Sequence, residues 1–333
     1  MGLSIQILGG GPAGAAAAIA ARSEGAQVRL VEKSAFPRHK VCGEFLSPEI
    51  APLLDRLGVW NRMLDERPSV VRTMKLHFNR GEKRCRLPEP AFGLSRRAFD
   101  RVLWEAALDA GAAPASEIDA NFQGPRIVSC GRKTALPRGA RLFGFKAHFS
   151  GPMDDAVELF FFAGCYVGVN SAGEGITNVC GIAPEDYLKK YGFDMDAVIR
   201  SSPALAARVD PLSRQMKWLT CGPLDFRQNL RGPVRGAPVY PAGDALSFVD
   251  PFTGTGLLSA VATGRLAGIA AARGVDGKRY LFECRRAVER PFLVSALLRN
   301  LLARGWGERL APFVPGEWLY ALTRPRTAMA ERW

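Results

Sequence analysis

The chain has 333 residues, 47% of them hydrophobic, and a formal net charge of +13. That length buries a core large enough for two domains, and that composition excludes a disordered or collagen-like chain. Seven cysteines form no C-x-x-C pair and accompany only three histidines, which argues against structural zinc and for free thiols in a reducing, cytoplasmic setting.

Residues 3–8 read as an apolar strand, 13–22 as an alanine-rich helix and Gln27–Val31 as a second strand ending at Glu32. Between strand and helix stand Gly9, Gly11 and Gly14 in G-x-G-x-x-G spacing. In a βαβ setting that spacing receives a dinucleotide. Gly9 permits the turn, Gly11 lets backbone approach a pyrophosphate, and Gly14 lets the helix pack closely. Free amide N–H groups at the helix N-terminus then meet phosphate oxygens, and Glu32 is placed to accept hydrogen bonds from a ribose. No basic leader with a cleavage site precedes the strand, so no signal peptide is expected.

Residues 34–48 form a loop dense in polar and special residues. Strand signals cover 70–92, including Arg72–Phe78. Phe99, Val102, Leu103, Ala106 and Ala107 recur at helical spacing within 95–111, with Arg96 at the entrance, facing either a cofactor or solvent. Leu142–Phe149, Val157–Phe162, Tyr166–Asn170 and Gly175–Cys180 read as strands of a separate sheet, suited to one wall of a substrate cavity. Alternation puts Phe145, Ala147 and Phe149 on one face and Lys146 and His148 on the other. Residues 184–209 read as helical. Strands near 214–221 and 237–242 return the chain to its first domain. Residues 256–273 form a small-residue helix, its apolar run broken by Arg265, so a buried helix is expected rather than a membrane span. From 279 the chain reads as helical. The basic segment 273–333 carries Leu297, Leu298, Leu301, Leu302, Trp306 and Leu310. It reads first as a cover for the core with arginines reaching outward, and second as a peripheral contact with an anionic membrane. Basic residues are scattered without interleaved aromatics, so nucleic acid is not an expected partner.

G-G-G-P-A-G at 9–14, V-E-K at 31–33, K-V-C-G-E at 40–44, S-R-R-A-F-D at 95–100, G-F-K-A-H-F at 144–149, A-G-D-A at 242–245 and D-P-F-T-G-T-G at 250–256 stand in one order. Together they resemble the geranylgeranyl reductase family of FAD-dependent oxidoreductases, within the p-hydroxybenzoate hydroxylase-like fold superfamily. The resemblance implies an α/β fold: a Rossmann-type FAD-binding domain, an inserted β-sheet substrate domain and a helical C-terminal tail. It divides the chain into an FAD-binding domain at 1–70, 95–139 and 236–275, a substrate domain at 71–94 and 140–235, and the helical region 276–333.

By the same resemblance Gly9, Gly11 and Gly14 hold the FAD pyrophosphate, with Pro12 and Ala13 beside them. Glu32 takes the adenosine ribose, with Lys33 and Lys40 nearby, and Arg96 contacts the cofactor. Asp244 binds the ribityl or pyrophosphate region, Gly243 allowing close approach. Pro251, Gly254, Thr255, Gly256 and Leu257 pass beside the flavin ring, with Cys42 and Gly43 on its other side. Hydride or electrons then pass between flavin N5 and an apolar unsaturated small molecule, a prenyl lipid or a specialised metabolite. A proton is handled separately. Cys42, Glu44 and His148 are the catalytic candidates. Cys42 reads equally as a structural thiol, Glu44 as a partner of Lys40 or Arg38, and His148 as a satisfied sheet residue.

A second G-x-G-x-x-G unit is missing, which leaves NAD(P)H as a transient electron donor or a protein in its place. The alternative activity is an FAD- and NAD(P)H-dependent monooxygenase acting on an aromatic or polyketide substrate. S-C-G-R-K at 129–133, where aromatic hydroxylases carry Asp-Gly, weakens it. Halogenases of this superfamily carry a W-x-W-x-I-P motif and a catalytic lysine; Lys146 is present but the tryptophan motif is not, so halogenation is not expected. A non-catalytic electron relay ranks last.

Overall fold

In the computed structural model the described residues are 2–79, 81–132, 141–230, 238–303, 320–322 and 324. The glycine loop follows the short apolar strand β1 (Ser4–Leu8) and opens α1 (Pro12–Ser23), after which β2 (Gln27–Val31) returns parallel to β1. β3 (Phe45–Leu46) closes the polar loop. Two short helices, α2 (Ile50–Arg56) and α3 (Trp60–Asp65), follow; the sequence reading missed both, because neither is long enough to display a helical period. β4 (Ser69–Phe78) and β5 (Gly81–Gly93) then pair antiparallel.

α4 (Arg96–Asp109) starts where the Ser95 hydroxyl accepts from the Ala98 amide at 3.2 Å, a side-chain N-cap. It leads to β6 (Ala113–Ala115) and β7 (Arg126–Val128). β8 (Leu142–Ser150), β9 (Ala156–Phe162), β10 (Cys165–Ser171) and β11 (Ile176–Pro184) come in succession. The helical stretch 184–209 is split into α5 (Glu185–Lys190), α6 (Met195–Arg200) and α7 (Pro203–Val209). β12 (Ser213–Arg214), β13 (Leu219–Leu224) and β14 (Val239–Pro241) follow, then α8 (Gly256–Ala272) and α9 (Gly277–Ala303).

The described strands make two sheets. β14-β7-β1-β2-β6 is parallel throughout, the Rossmann-type sheet. The other runs β12-β8-β11-β10-β9-β4-β5-β3, with β13 also on β8, and is antiparallel except where β4 meets β9. β3 is short but matters for the site, since it ties the polar loop that precedes it to the larger sheet through β5.

Small residues set the packing of the first sheet. A Cβ at Gly264 or Gly268 of α8 would collide with the backbone of Ala13 or Ala17 of α1. The two helices therefore pack nearly backbone to backbone, and this explains the Gly/Ala content of both. α8 is buried along most of its length, as expected. Among the described residues no helix is long and apolar enough to cross a membrane. α9 buries Tyr280, Leu281, Cys284 and Val288 while exposing Phe282, Leu293 and Leu297. Trp306 and Leu310 lie outside the described residues.

Candidate functional site

A cleft of about 520 Å³ lies over the C-terminal ends of β1 and β2, against the N-terminus of α1. This is where the backbone of the fold leaves donors unpaired. Gly9 sits at φ +100°, and a Cβ there would strike Ser129 and Cys130. At Gly14 a Cβ would strike the Gly9 carbonyl. Ser129, at the end of β7, donates its hydroxyl to the Leu8 and Gly9 carbonyls at 2.9 Å. The sequence reading passed over this brace, because Ser129 lies more than a hundred residues from the loop it holds. By contrast nothing lies within 4 Å of a Cβ at Gly11. Gly11 begins α1 without a side-chain cap, so the first amides of the helix remain free for an anion.

Gly9, Gly11, Pro12 and Ala13 line the cleft, and so do Glu32, Lys33 and Lys40. Glu32 already accepts from the Gly10 amide at 2.9 Å and the Ser34 amide at 3.0 Å, and pairs with Arg38 at 3.1 Å. Its carboxylate is thus fixed at the tip of β2 before any ligand arrives. Cys42, Gly43, Glu44 and Arg96 line the next stretch of wall, and Gly243, Asp244, Pro251, Gly254, Gly256 and Leu257 the facing one. The Gly243 amide donates to the Thr263 hydroxyl at 2.9 Å, which pins the facing wall to α8. Asp244 is exposed on the cleft wall. Desolvation within the cleft raises its pKa, against the pull of Arg96, Lys40 and Arg132.

Two expected cofactor residues stand behind the wall. Gly14 serves the α1–β1 contact, and Thr255 is buried with its hydroxyl 2.8 Å from that of Thr253. His148 is likewise not a lining residue. It is buried, and its Nε2 lies 2.6 Å from Glu44 Oε2.

The anticipated pairing of Glu44 with Lys40 or Arg38 is replaced by another. Lys146 and His148, on the face of β8 that alternation assigned them, both reach Glu44. The Arg96 amide donates to Glu44 Oε1 at 2.6 Å, and the Glu44 carbonyl accepts from the Leu94 amide at 3.1 Å. Glu44 and Lys146 have no solvent exposure. Burial would raise the pKa of Glu44, but the hydrogen bond from His148 and the charge of Lys146 prevail, and it is lowered. Glu44 also holds a left-handed backbone, φ +53°, uncommon for a residue with a side chain. One buried carboxylate therefore clamps the 42–44 loop to β8 and to the start of α4.

Arg96 faces the cleft with its guanidinium bound to Asp100 at 2.6 and 2.7 Å. Burial works against its charge, yet Asp100 and the Cys42 sulfur raise its pKa. Arg96 is a fixed cation beside Cys42. The Cys42 carbonyl accepts from the Asn178 side chain at 3.1 Å.

A second, smaller cavity shares Gly43, Phe45, Pro251 and Gly254 with the cleft. Its wall is mainly apolar, with Met74, Leu76, Leu87, Val157, Leu159 and Phe161 from the larger sheet and the polar side chains of Asn170, Thr253 and Arg324 beside them. Alternation splits the aromatic run of β9: Leu159 and Phe161 line this cavity, while Phe160 and Phe162 join the core on the opposite face.

The site fits FAD by its own chemistry: uncapped helix amides, a fixed carboxylate at the tip of β2, cations at Lys40 and Arg96, and open space above Gly11 and Gly256. Residues 3–127 match the FAD binding domain family. The digeranylgeranylglycerophospholipid reductase 2 of Methanopyrus kandleri is 27% identical over 323 residues, 83% of this chain and 78% of that protein. A geranylgeranyl bacteriochlorophyll reductase-like structure from Thermoplasma acidophilum superimposes with a TM-score of 0.65 at 18% identity, covering 100% of this chain and 93% of the other. The flavin-dependent brominase Bmp2 superimposes with a TM-score of 0.75, also at 18% identity, over 97% and 93%. At such identities the two structures establish a shared fold only.

Proposed function

We propose that the chain is a geranylgeranyl reductase-like FAD-dependent oxidoreductase, on the strength of the FAD binding domain match over residues 3–127 and the relative 27% identical over 83% of the chain, and that it exchanges hydride with an apolar, unsaturated small molecule held against the larger sheet. The observation that carries this reading is the apolar cavity meeting the FAD cleft at Gly43, Phe45, Pro251 and Gly254. A substrate seated there reaches the cofactor cleft along a mainly apolar wall. The Methanopyrus kandleri relative, named for reduction of a digeranylgeranyl lipid, supports a substrate of isoprenoid or similarly apolar character.

Bound FAD supplies two-electron chemistry, passing hydride to or from a substrate carbon. The protein's part is to bind, orient and handle the proton. Glu44 is a poor proton donor, because Lys146 and His148 keep it ionised. We assign it to positioning, together with His148. Cys42 lines the cleft beside the fixed charge of Arg96 and takes the proton-handling role. The free α1 amides and Lys40 hold phosphate, and Asp244 with the 251–257 turn holds the remainder of the cofactor. NAD(P)H, or a donor protein, reloads the flavin transiently.

The test is anaerobic. Protein loaded with FAD is photoreduced, then mixed with apolar alkenes. Reoxidation with saturation of the double bond supports a reductase. Reoxidation only on admission of oxygen, with hydroxylated product, would support the monooxygenase and remove this reading.

A further inference from the structure

Among the described residues, the apolar cavity is bounded by a part of the chain that the sequence motifs never touched. Tyr320 and Arg324 lie in its wall, opposite in sequence to every other lining segment. Tyr320 is 8% exposed and packs with Val71, Met74, Leu76, Leu87 and Phe161, the same sheet face that lines the cavity. Arg324 holds it there. Its guanidinium carbon stands 4.4 Å from the centre of the Tyr320 ring. The same guanidinium donates to the Thr253 carbonyl and lies 3.8 Å from Glu49. Thr253 belongs to the turn Pro251–Thr253 at the junction with the FAD cleft. The Tyr320 ring is therefore not a loose cover: a cation stacked on it is fastened to the cofactor turn.

The cavity left beside that ring measures about 90 Å³. That is less than the roughly 150 Å³ of an apolar cavity that holds a single benzene. We infer that Tyr320 is the residue that sets substrate size, and that the part of the substrate seated beside it is a compact acyclic group smaller than one ring. Arg324 is its positioning residue. This inference rests on the preceding reading of where the substrate lies. It narrows the substrate class from apolar molecules in general to those that present a small acyclic unsaturated portion to this cavity.

The experiment uses the protein loaded with FAD and three probes of rising size: allyl alcohol, phenol and 2-naphthol. Binding is read by perturbation of the flavin spectrum and, independently of flavin, by thermal shift. Wild type is expected to prefer allyl alcohol over phenol by at least ~tenfold, the scale on which a filled apolar pocket discriminates size. Y320A removes one ring from the wall and is expected to gain at least ~tenfold for phenol, while Y320F keeps the wild-type order. R324Q, which releases the ring without shortening it, is expected to move in the same direction by less.

Wild type that takes phenol as well as allyl alcohol overturns the inference, and so does Y320A with an unchanged order. If Y320A does not fold, Y320L carries the same expectation and the same refutation. Failure of wild type to take up FAD would overturn the preceding reading instead, and the thermal-shift order would still decide the size limit.

Discussion

Replacing Glu44 by Gln isolates the buried clamp, because the side chain keeps its shape and loses only its charge. Lys146 is then left with no solvent exposure and, among the described residues, no counter-ion. Removing one partner of a buried pair costs about 3–5 kcal/mol, much of it the desolvation of the charge left behind. His148 loses its acceptor at 2.6 Å as well, and Arg96 keeps only a neutral oxygen for its amide, so the upper part of that range is expected. Against a total stability of about 5–15 kcal/mol for a domain, this is a large fraction. Urea unfolding followed by circular dichroism reads it as a lower midpoint at unchanged slope.

The double variant E44Q/K146M removes the stranded charge and should recover more than half of the loss. The pH profile has a definite sign. The folded pKa of Glu44 lies below its ordinary value of 4.5, so its stabilisation is fully present above pH 4.5 and is lost as pH falls through the depressed folded value. E44Q should flatten the stability profile in that acid window and leave its shape near neutrality unchanged. An E44Q protein within ~1 kcal/mol of wild type, or a double variant no better than the single one, would refute the clamp.

Other substitutions separate fold from function. Gly11→Ala adds a methyl group into open cleft; wild-type stability with at least ~tenfold weaker FAD binding is expected, from crowding of the phosphate approach alone. Gly14→Ala drives its methyl into the Gly9 carbonyl, so stability and FAD binding should fall together, read by urea unfolding and by flavin absorbance. Cys42→Ala should retain FAD and slow anaerobic turnover by ~10²-fold or more if its thiol handles the proton; unchanged turnover would remove it from that role.

The glycine loop was legible because its signal is local: strand, turn, helix and acidic strand end all fall within residues 4–32. The facing of Lys146 and His148 was legible for the same reason, since two-residue alternation along β8 needs no knowledge of the partner strands. What they face was not. Glu44 meets them across 102 and 104 residues, and no periodicity links a loop glutamate to a strand that distant. Ser129 and Thr263 escaped notice because a lone hydroxyl in an apolar segment has no spacing to betray it, although each fixes a cofactor-wall glycine. The apolar cavity escaped because its wall draws on five strands, a turn and two residues near the C-terminus. Only the assembled sheet brings Met74, Leu87, Phe161 and Tyr320 together.

Equilibrium titration of the apo-protein with FAD tests the central claim most directly. One FAD should bind per chain, with the flavin fluorescence altered on binding, the visible spectrum shifted, and the affinity reduced in Gly11→Ala. A chain that stays colourless, or that binds FAD equally well when Gly11 is blocked, would contradict the assignment of the cleft.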